Sequence, residues 1–365
     1  MNQTIISQKQ FFIFTFMYTV GSAIILAPHI LAKVTEQDAW LSVIIGGLIG
    51  LLPALLFHWI GQQLKEEDFF GMIQTVFGRV VGKMVIFLYV SFFIFLSALL
   101  LREIGDFISA IILVSTPRYV TNLLMFLIIC MGVFYGIEVV ARAAEVLFPW
   151  IIILFLPMFI FLIPEFQWDY LLPVLKNGFS PVFEGAFLYF TFPLELITLV
   201  VLYPIINKHK QIKKTFLFGL LIGTGLILIV TLYSILVLGP DLSSRNLYPT
   251  FTLAKKVNVA NFFQRLEVFM AGVWIITIYV KLAVTFYVSA IGIAKLTSLE
   301  DYRKILLGLG AVLLALAEFI SPDTSAFYDF ATGPASILIS IYGLMIPIII
   351  AIIMKIGKRK KEKGK

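Results

Sequence analysis

Residues 10–34 read QFFIFTFMYTVGSAIILAPHILAKV, and this run decides the fold. It exceeds the roughly 20 apolar residues that one helix needs to cross a bilayer. It does not read as a cleaved leader, because the apolar stretch continues from Phe11 to about Leu31 and no small-x-small site closes it. Near its middle lies Thr19-Val20-Gly21-Ser22-Ala23, a polar interruption for which a simple anchor has no need.

The rest of the chain repeats this character. Hydrophobic residues make up 60% and charged residues 13% of the 365, and the mean hydropathy is +1.00. Ordinary soluble domains hold about 45–50% apolar and about 25% charged residues, so the solvent for this surface is lipid. Stretches long enough to span fall at 10–34, 40–63, 84–113, 120–137, 145–163, 181–206, 216–238, 266–294, 305–321 and 334–356, which predicts about ten transmembrane helices. With the N-terminus inside, 19 of the 28 lysines and arginines fall on the inner side and 7 on the outer, Arg102 and Lys281 lying within spans. Both termini are therefore expected to be cytoplasmic. After Asp68, the residues Phe69, Phe70, Ile73, Val76, Phe77 and Val80 recur at helical spacing, which predicts an amphipathic helix on the inner face. A short outer helix is expected after Pro249.

Several function classes drop out. The pI of about 9.3 does not mark a nucleic-acid binder, since the cations sit in short loops and in the tail from Lys358 to Lys365, where topology explains them. His29, His58 and His209 lack metal-ligand spacing, and Cys130 has no intrachain partner. No nucleophile, base or phosphate-binding constellation stands out, so no enzyme, cofactor or metal is expected. Gly46/Gly50 and Gly219/Gly223 read as helix-packing pairs.

A second polar interruption, Tyr189-Phe190-Thr191-Phe192-Pro193-Leu194-Glu195, lies in the sixth span. The two breaks open two successive five-span blocks, the pattern of an inverted-repeat transporter with its site at the midplane. Taken singly, a packing glycine and a proline kink account for them. Together they make Gly21, Ser22, Ala23, Tyr189, Phe190, Thr191 and Phe192 the candidate ligand-binding residues. Helix termini would face an anion, free carbonyls and hydroxyls an ammonium group, and aromatic rings would exclude water. A small amino acid uses all three.

Charges within spans are costly and tend to be paired or functional. Glu195 and Lys281 lie at similar depth and are expected to face each other, unless Lys281 snorkels to the inner surface. Arg102 and Asp106, one turn apart, read as an ion pair with Glu103 pointing elsewhere. Arg265 and Glu267 mark the mouth of the eighth span.

Along almost its whole length the chain resembles the B subunits of endospore germinant receptors, spore germination permeases of the amino acid–polyamine–organocation superfamily. Val20-Gly-Ser-Ala-Ile-Ile-Leu-Ala-Pro28 with Asp38-Ala-Trp40, Phe192-Pro-Leu-Glu195 with the basic loop after Pro204, and Phe263-Gln-Arg-Leu-Glu267 with Trp274 and Lys281 carry the resemblance. It implies an all-α LeuT-type fold, a 5+5 inverted repeat with helices 1 and 6 broken. One membrane domain would cover 1–356, with repeats about 10–164 and 180–356, followed by a basic cytoplasmic tail at 357–365. It further implies a subunit of the inner spore membrane that binds a nutrient germinant (an amino acid foremost, or a sugar or nucleoside) between the breaks, against spans three and eight. Such subunits act with A-type and lipoprotein C-type partners. The first break carries one glycine where many superfamily transporters carry two, and no sodium-site signature is present. Lys281 could serve instead as a fixed cation or a proton carrier, in a working permease.

Overall fold

A computed structural model describes residues 6–64, 68–207, 211–256 and 266–363, the side chains of Leu266 and of residues beyond 356 excepted. Arg265 and the side chains of the basic tail therefore lie outside what is described. Among the described residues every regular element is helical, apart from one isolated bridge between Ile6 and Ile206. Eight helical stretches are long and apolar enough to cross a membrane. The first, Gln8–Gln63, runs for 56 residues and folds into two legs, and a short helix at Leu306–Phe319 adds one crossing, which makes ten.

The Ser7 hydroxyl accepts from the Gln10 N–H while the Gln10 side chain accepts from that of Ser7, a reciprocal cap for α1 (Gln8–Val20). After a two-residue turn, α2 (Ala23–Thr35) completes the crossing. Glu36, at φ 52°, reverses the chain into α3 (Ala39–Gln63). Beside this turn the Asp38 carboxylate accepts the Leu175 N–H at 3.0 and 3.1 Å, tying the loop before the sixth crossing to the start of the second. The amphipathic helix exists as α4 (Phe69–Phe77). It is capped by Asp68, which accepts from the Gly71 N–H at 2.6 Å, and Phe69, Phe70 and Ile73 are buried.

The third to fifth crossings are α5 (Arg79–Phe107), α6 (Arg118–Tyr135) and α7 (Ile137–Leu162). The sixth is α8 (Phe179–Leu194) followed by the single turn α9 (Ile197–Val200). The seventh, α10 (Ile212–Arg245), bends at Gly239, whose φ of 78° only glycine adopts readily. Then α11 (Pro249–Lys256) lies where the outer helix is expected, ahead of α12 (Leu266–Thr297) and α13 (Leu306–Phe319).

The last crossing starts about ten residues before the expected Pro334. It is built from α14 (Thr324–Phe330), α15 (Ser336–Ser340) and α16 (Ile346–Lys363), joined by π-turns. Gly333 and Pro334 look like a helix stop, but the π-turn at Ala331–Ala335 absorbs the N–H that proline lacks, and Asp323 caps the true start.

The glycine pairs bring helices into close contact. A Cβ on Gly46 would sit 2.5 Å from the Ala186 carbonyl, and one on Gly50 would sit 2.7 Å from the Pro193 ring, so α3 and α8 touch backbone to backbone. Gly219 and Gly223 let α10 approach Thr15 and Thr19 of α1 in the same way. These contacts hold α8 against α3 and α1 against α10, and α3 and α10 pack on each other.

Candidate functional site

At the first interruption Gly21 and Ser22 leave the helix. The Gly21 N–H still reaches the Met17 carbonyl at 2.8 Å, and the Ser22 carbonyl takes the N–H groups of Ile25 and Leu26. The Gly21 carbonyl has no helical partner and accepts instead from the indole N–H of fully buried Trp274 on α12, at 3.0 Å. Only glycine fits here: a Cβ would lie 2.8 Å from Cδ of Lys281 and 3.3 Å from the Met17 carbonyl. The Thr250 hydroxyl of α11 donates to the Ile24 carbonyl at 2.6 Å, so the outer helix is tied to α2.

The second interruption lies later than its sequence suggests. Helix α8 is continuous through Tyr189, Phe190, Thr191 and Phe192 to Leu194, and the turn falls at Glu195 and Leu196. Past Pro193 the backbone tightens, with N–H of Glu195, Leu196 and Thr198 bonding three residues back, to Phe192, Pro193 and Glu195. The proline's missing bond is thus compensated by shorter-range bonds on its C-terminal side. The Thr191 hydroxyl consequently donates to the Leu188 carbonyl at 2.7 Å. Tyr189 packs against Gly46 and Gly47 of α3, and neither it nor Phe190 lines the cavity described below.

The structure brings Glu195 and Lys281 together: Nζ lies 2.5 Å from Oε2, and both side chains are almost wholly buried. Nζ also donates to the Ser22 hydroxyl at 2.8 Å and sits 5.2 Å from the centre of the Tyr18 ring. One side chain on α12 thereby bridges the interruptions of the first and sixth crossings. The contact is an ion pair without hydrogen-bond alignment, since Oε2 has no hydrogen-bond partner. Lys281 does not snorkel.

Arg102 and Asp106 pair at 2.9 Å, fully buried, but away from this cluster. Arg102 also donates to the Ser321 carbonyl at 2.5 Å, past the end of α13. Arg118 bridges Asp106 at 3.1 Å and Glu318 at 2.8 Å, so the pair belongs to a network that joins α5, α6 and α13. Glu103 points away from that pair, as expected, and faces the cavity described below, with 4% of its surface exposed. It is the functional candidate that the sequence reading misses. One position from Arg102, it turns to a different face of α5, toward the broken helices.

These groups border a cavity walled by Ser22 of the first turn, Leu26 of α2, Glu103 of α5, Thr191 and Phe192 of α8 with Glu195 just past its end, and the α14–α15 segment. The last wall differs from the expected one: α12 supplies the lysine and the tryptophan from behind, and the tenth crossing closes the cavity. Gly21 and Ala23 shape the turn but do not line it. About 50 Å³ is open to water centres, room for a few water molecules at about 10–15 Å³ each.

A wider vestibule of about 460 Å³, bordered by His29, Lys33, Glu184 and Asp329, shares Ile30, Leu188 and Thr332 with the cavity. Lys33 and Asp329 meet at 3.3 Å at its edge. Toward the face that holds α1's start, the Tyr18 hydroxyl bonds those of Thr198 and Thr285, both at 2.9 Å. Below them the Ile6 N–H donates to the Ile205 carbonyl at 2.8 Å and the Ile6 carbonyl accepts the Asn207 N–H at 2.9 Å, which anchors the first crossing to the sixth. Bonds thus tie the helices together on that side, and the vestibule adjoins the cavity on the other. No group of three or more metal-ligating residues occurs among the described residues. The arrangement suits a small polar ligand: acceptors at Glu103 and Glu195, a hydroxyl at Ser22, an apolar wall, and the N-terminus of the 13-residue α2.

A family model described as "Spore germination protein" matches residues 5–325. Among curated relatives, spore germination protein KB of Bacillus subtilis (strain 168) is 27% identical over 100% of this chain and 98% of its own length. Spore germination protein YndE of the same organism is 23% identical over 94% and 95%, and spore germination protein XB of Bacillus anthracis is 21% identical over 93% and 94%. Among solved structures, Mhp1, a nucleobase-cation-symport-1 family transporter in a closed conformation with bromovinylhydantoin bound, superposes with a TM-score of 0.63 at 12% identity. The match covers 94% of this chain and 79% of that one. The ten-crossing bundle with broken first and sixth helices is therefore a LeuT-type fold.

Proposed function

We propose, from the premise that this chain belongs to the spore germination protein family, that it is the B subunit of a germinant receptor. In this reading it sits in the inner spore membrane with both termini cytoplasmic. It binds a small nutrient, an amino acid, in the cavity between the interruptions of the first and sixth crossings. A-type and lipoprotein C-type subunits read the resulting change. The observation that carries the proposal is the cavity itself: buried polar groups converge there from α2, α5 and α8, in a multi-pass membrane protein whose curated relatives are named for germination.

Binding there bears directly on conformation. Ser22 and Glu195 are the two ends of the Lys281 bridge, so a ligand touching either biases the packing of both broken helices. A ligand shifts such an equilibrium only by its difference in affinity for the two states. Contacts at the hinge supply that difference.

The test is germination of spores lacking this gene, in a background without redundant receptors, across amino acids, sugars and nucleosides. Loss of the response to one nutrient, restored by the wild-type gene, supports the proposal. Undiminished germination to every nutrient refutes it.

The Lys281–Glu195 pair favours a second reading, a proton-coupled amino acid permease. A permease accumulates substrate in vesicles without partner subunits, in a pH-gradient-dependent manner that Lys281→Met or Glu195→Gln abolishes. A sensor binds ligand with little net flux.

A further inference from the structure

Glu103 is a buried carboxyl beside the Ser22 hydroxyl, with no ion-pair partner among the described residues. It lines the cavity, its side chain is almost wholly buried, and its Oε1 has no hydrogen-bond partner. A buried polar atom left without a partner is costly, and an ionised one more so.

Every nearby cation is committed elsewhere. Arg102, the preceding residue, is held by Asp106 at 2.9 Å and the Ser321 carbonyl at 2.5 Å. Lys281 is held by Glu195 at 2.5 Å and the Ser22 hydroxyl at 2.8 Å. Among the described residues that line the cavity there are two carboxyls and no cationic side chain. Lys281 balances Glu195, which leaves Glu103 as the cavity carboxyl without an ion-pair partner, facing a space of a few heavy atoms.

We propose that Glu103 receives the ammonium group of the ligand, so that the cavity selects a small primary ammonium compound over the isosteric alcohol. The assignment rests on the pocket proposed above and names the group that reads the ligand there. An ammonium supplies both the missing donor and the missing countercharge, and charge-assisted bonds of this kind are the stronger class. A neutral polyol supplies donors but leaves the charge unmatched. The ligand's other end lies toward the first turn of α2, where N–H groups receive a carboxylate. The space suits glycine or alanine.

The test is equilibrium binding of radiolabelled L-alanine to the full chain in lipid nanodiscs, with L-lactate and ethylamine as competitors. L-lactate carries a hydroxyl where alanine carries its ammonium, and ethylamine carries the ammonium alone. Wild type is expected to prefer alanine over lactate and to be displaced by ethylamine. Glu103→Gln, which keeps size and polarity, is expected to weaken alanine at least about tenfold. Lactate affinity should stay unchanged, so the preference collapses, and Glu103→Asp should retain part of it.

Glu103→Gln binding alanine like wild type, or losing alanine and lactate to the same extent, overturns the assignment and leaves the pocket standing. Failure of wild type to bind alanine or ethylamine also overturns it. The pocket has its own control: Thr191→Trp, which fills the cavity, abolishes alanine binding if the pocket is correct. Unchanged binding in that variant refutes the pocket itself.

Discussion

Removing the lysine of the buried pair while leaving its partner is the most informative perturbation. At 2.5 Å, with an effective dielectric constant of about 20, the attraction between Lys281 and Glu195 is roughly 7 kcal/mol. Desolvating two ions costs several kcal/mol each, so the intact pair is close to neutral for stability. Half of it is not neutral. Lys281→Met strands a carboxylate whose side chain is 6% exposed, and it removes the donor to Ser22.

The expected loss is about 3–5 kcal/mol for Lys281→Met and a similar loss for Glu195→Leu. The double variant Lys281→Met/Glu195→Leu should recover to within about 1–2 kcal/mol of wild type, because no charge of the pair is then left alone. Equilibrium unfolding of the full chain in mixed micelles, titrated with SDS, measures all three. If the double variant loses as much as the two single variants summed, the side chains are not coupled and the bridge between the broken helices does not exist.

Other consequences follow from the same packing. Gly46→Ala places a Cβ against the Ala186 carbonyl, a backbone atom that cannot yield, and should cost about 1–3 kcal/mol in the same unfolding assay. Arg102→Lys keeps the charge but not the fork that serves Asp106 and the carbonyls past α13. It should destabilise measurably, and Arg102→Met should do so by about 3–5 kcal/mol. Lys33→Ala breaks only an exposed pair and should change stability by less than about 1 kcal/mol, with no dependence on salt beyond that.

What could be read from sequence differs between helices and side-chain directions. Ten apolar runs and the spacing of Gly46, Gly50, Gly219 and Gly223 are one-dimensional signals, and they appear as crossings and close contacts. The depth argument for Glu195 and Lys281 also needs only a rise per residue, and the two side chains meet. The break at Gly21 coincides with its motif, because glycine and serine there are the residues that leave the helix.

The proline rule places the second break too early. Pro193 disfavours the turn before it, yet the packed neighbours of α8 keep that turn helical and shift the irregularity to Glu195 and Leu196. The apolar run likewise does not show the true start of the last crossing at Thr324, because Thr324–Phe330 is partly polar. Glu103 was missed because its neighbour Arg102 has an obvious partner at Asp106. Which face of α5 looks into the cavity depends on how α14 and α15 close it, and no local pattern encodes that.

On the proposed function, a nutrient acts on germination through the cavity between the broken helices. The direct measurement compares spores carrying Thr191→Trp, in the cavity wall, with spores carrying Leu156→Trp, on the exposed face of α7. Both proteins are quantified in the spore membrane, and germination is followed with the nutrient that the wild-type gene restores. The account predicts loss of the response with Thr191→Trp and a normal response with Leu156→Trp, at equal protein levels. A normal response from both variants would contradict it.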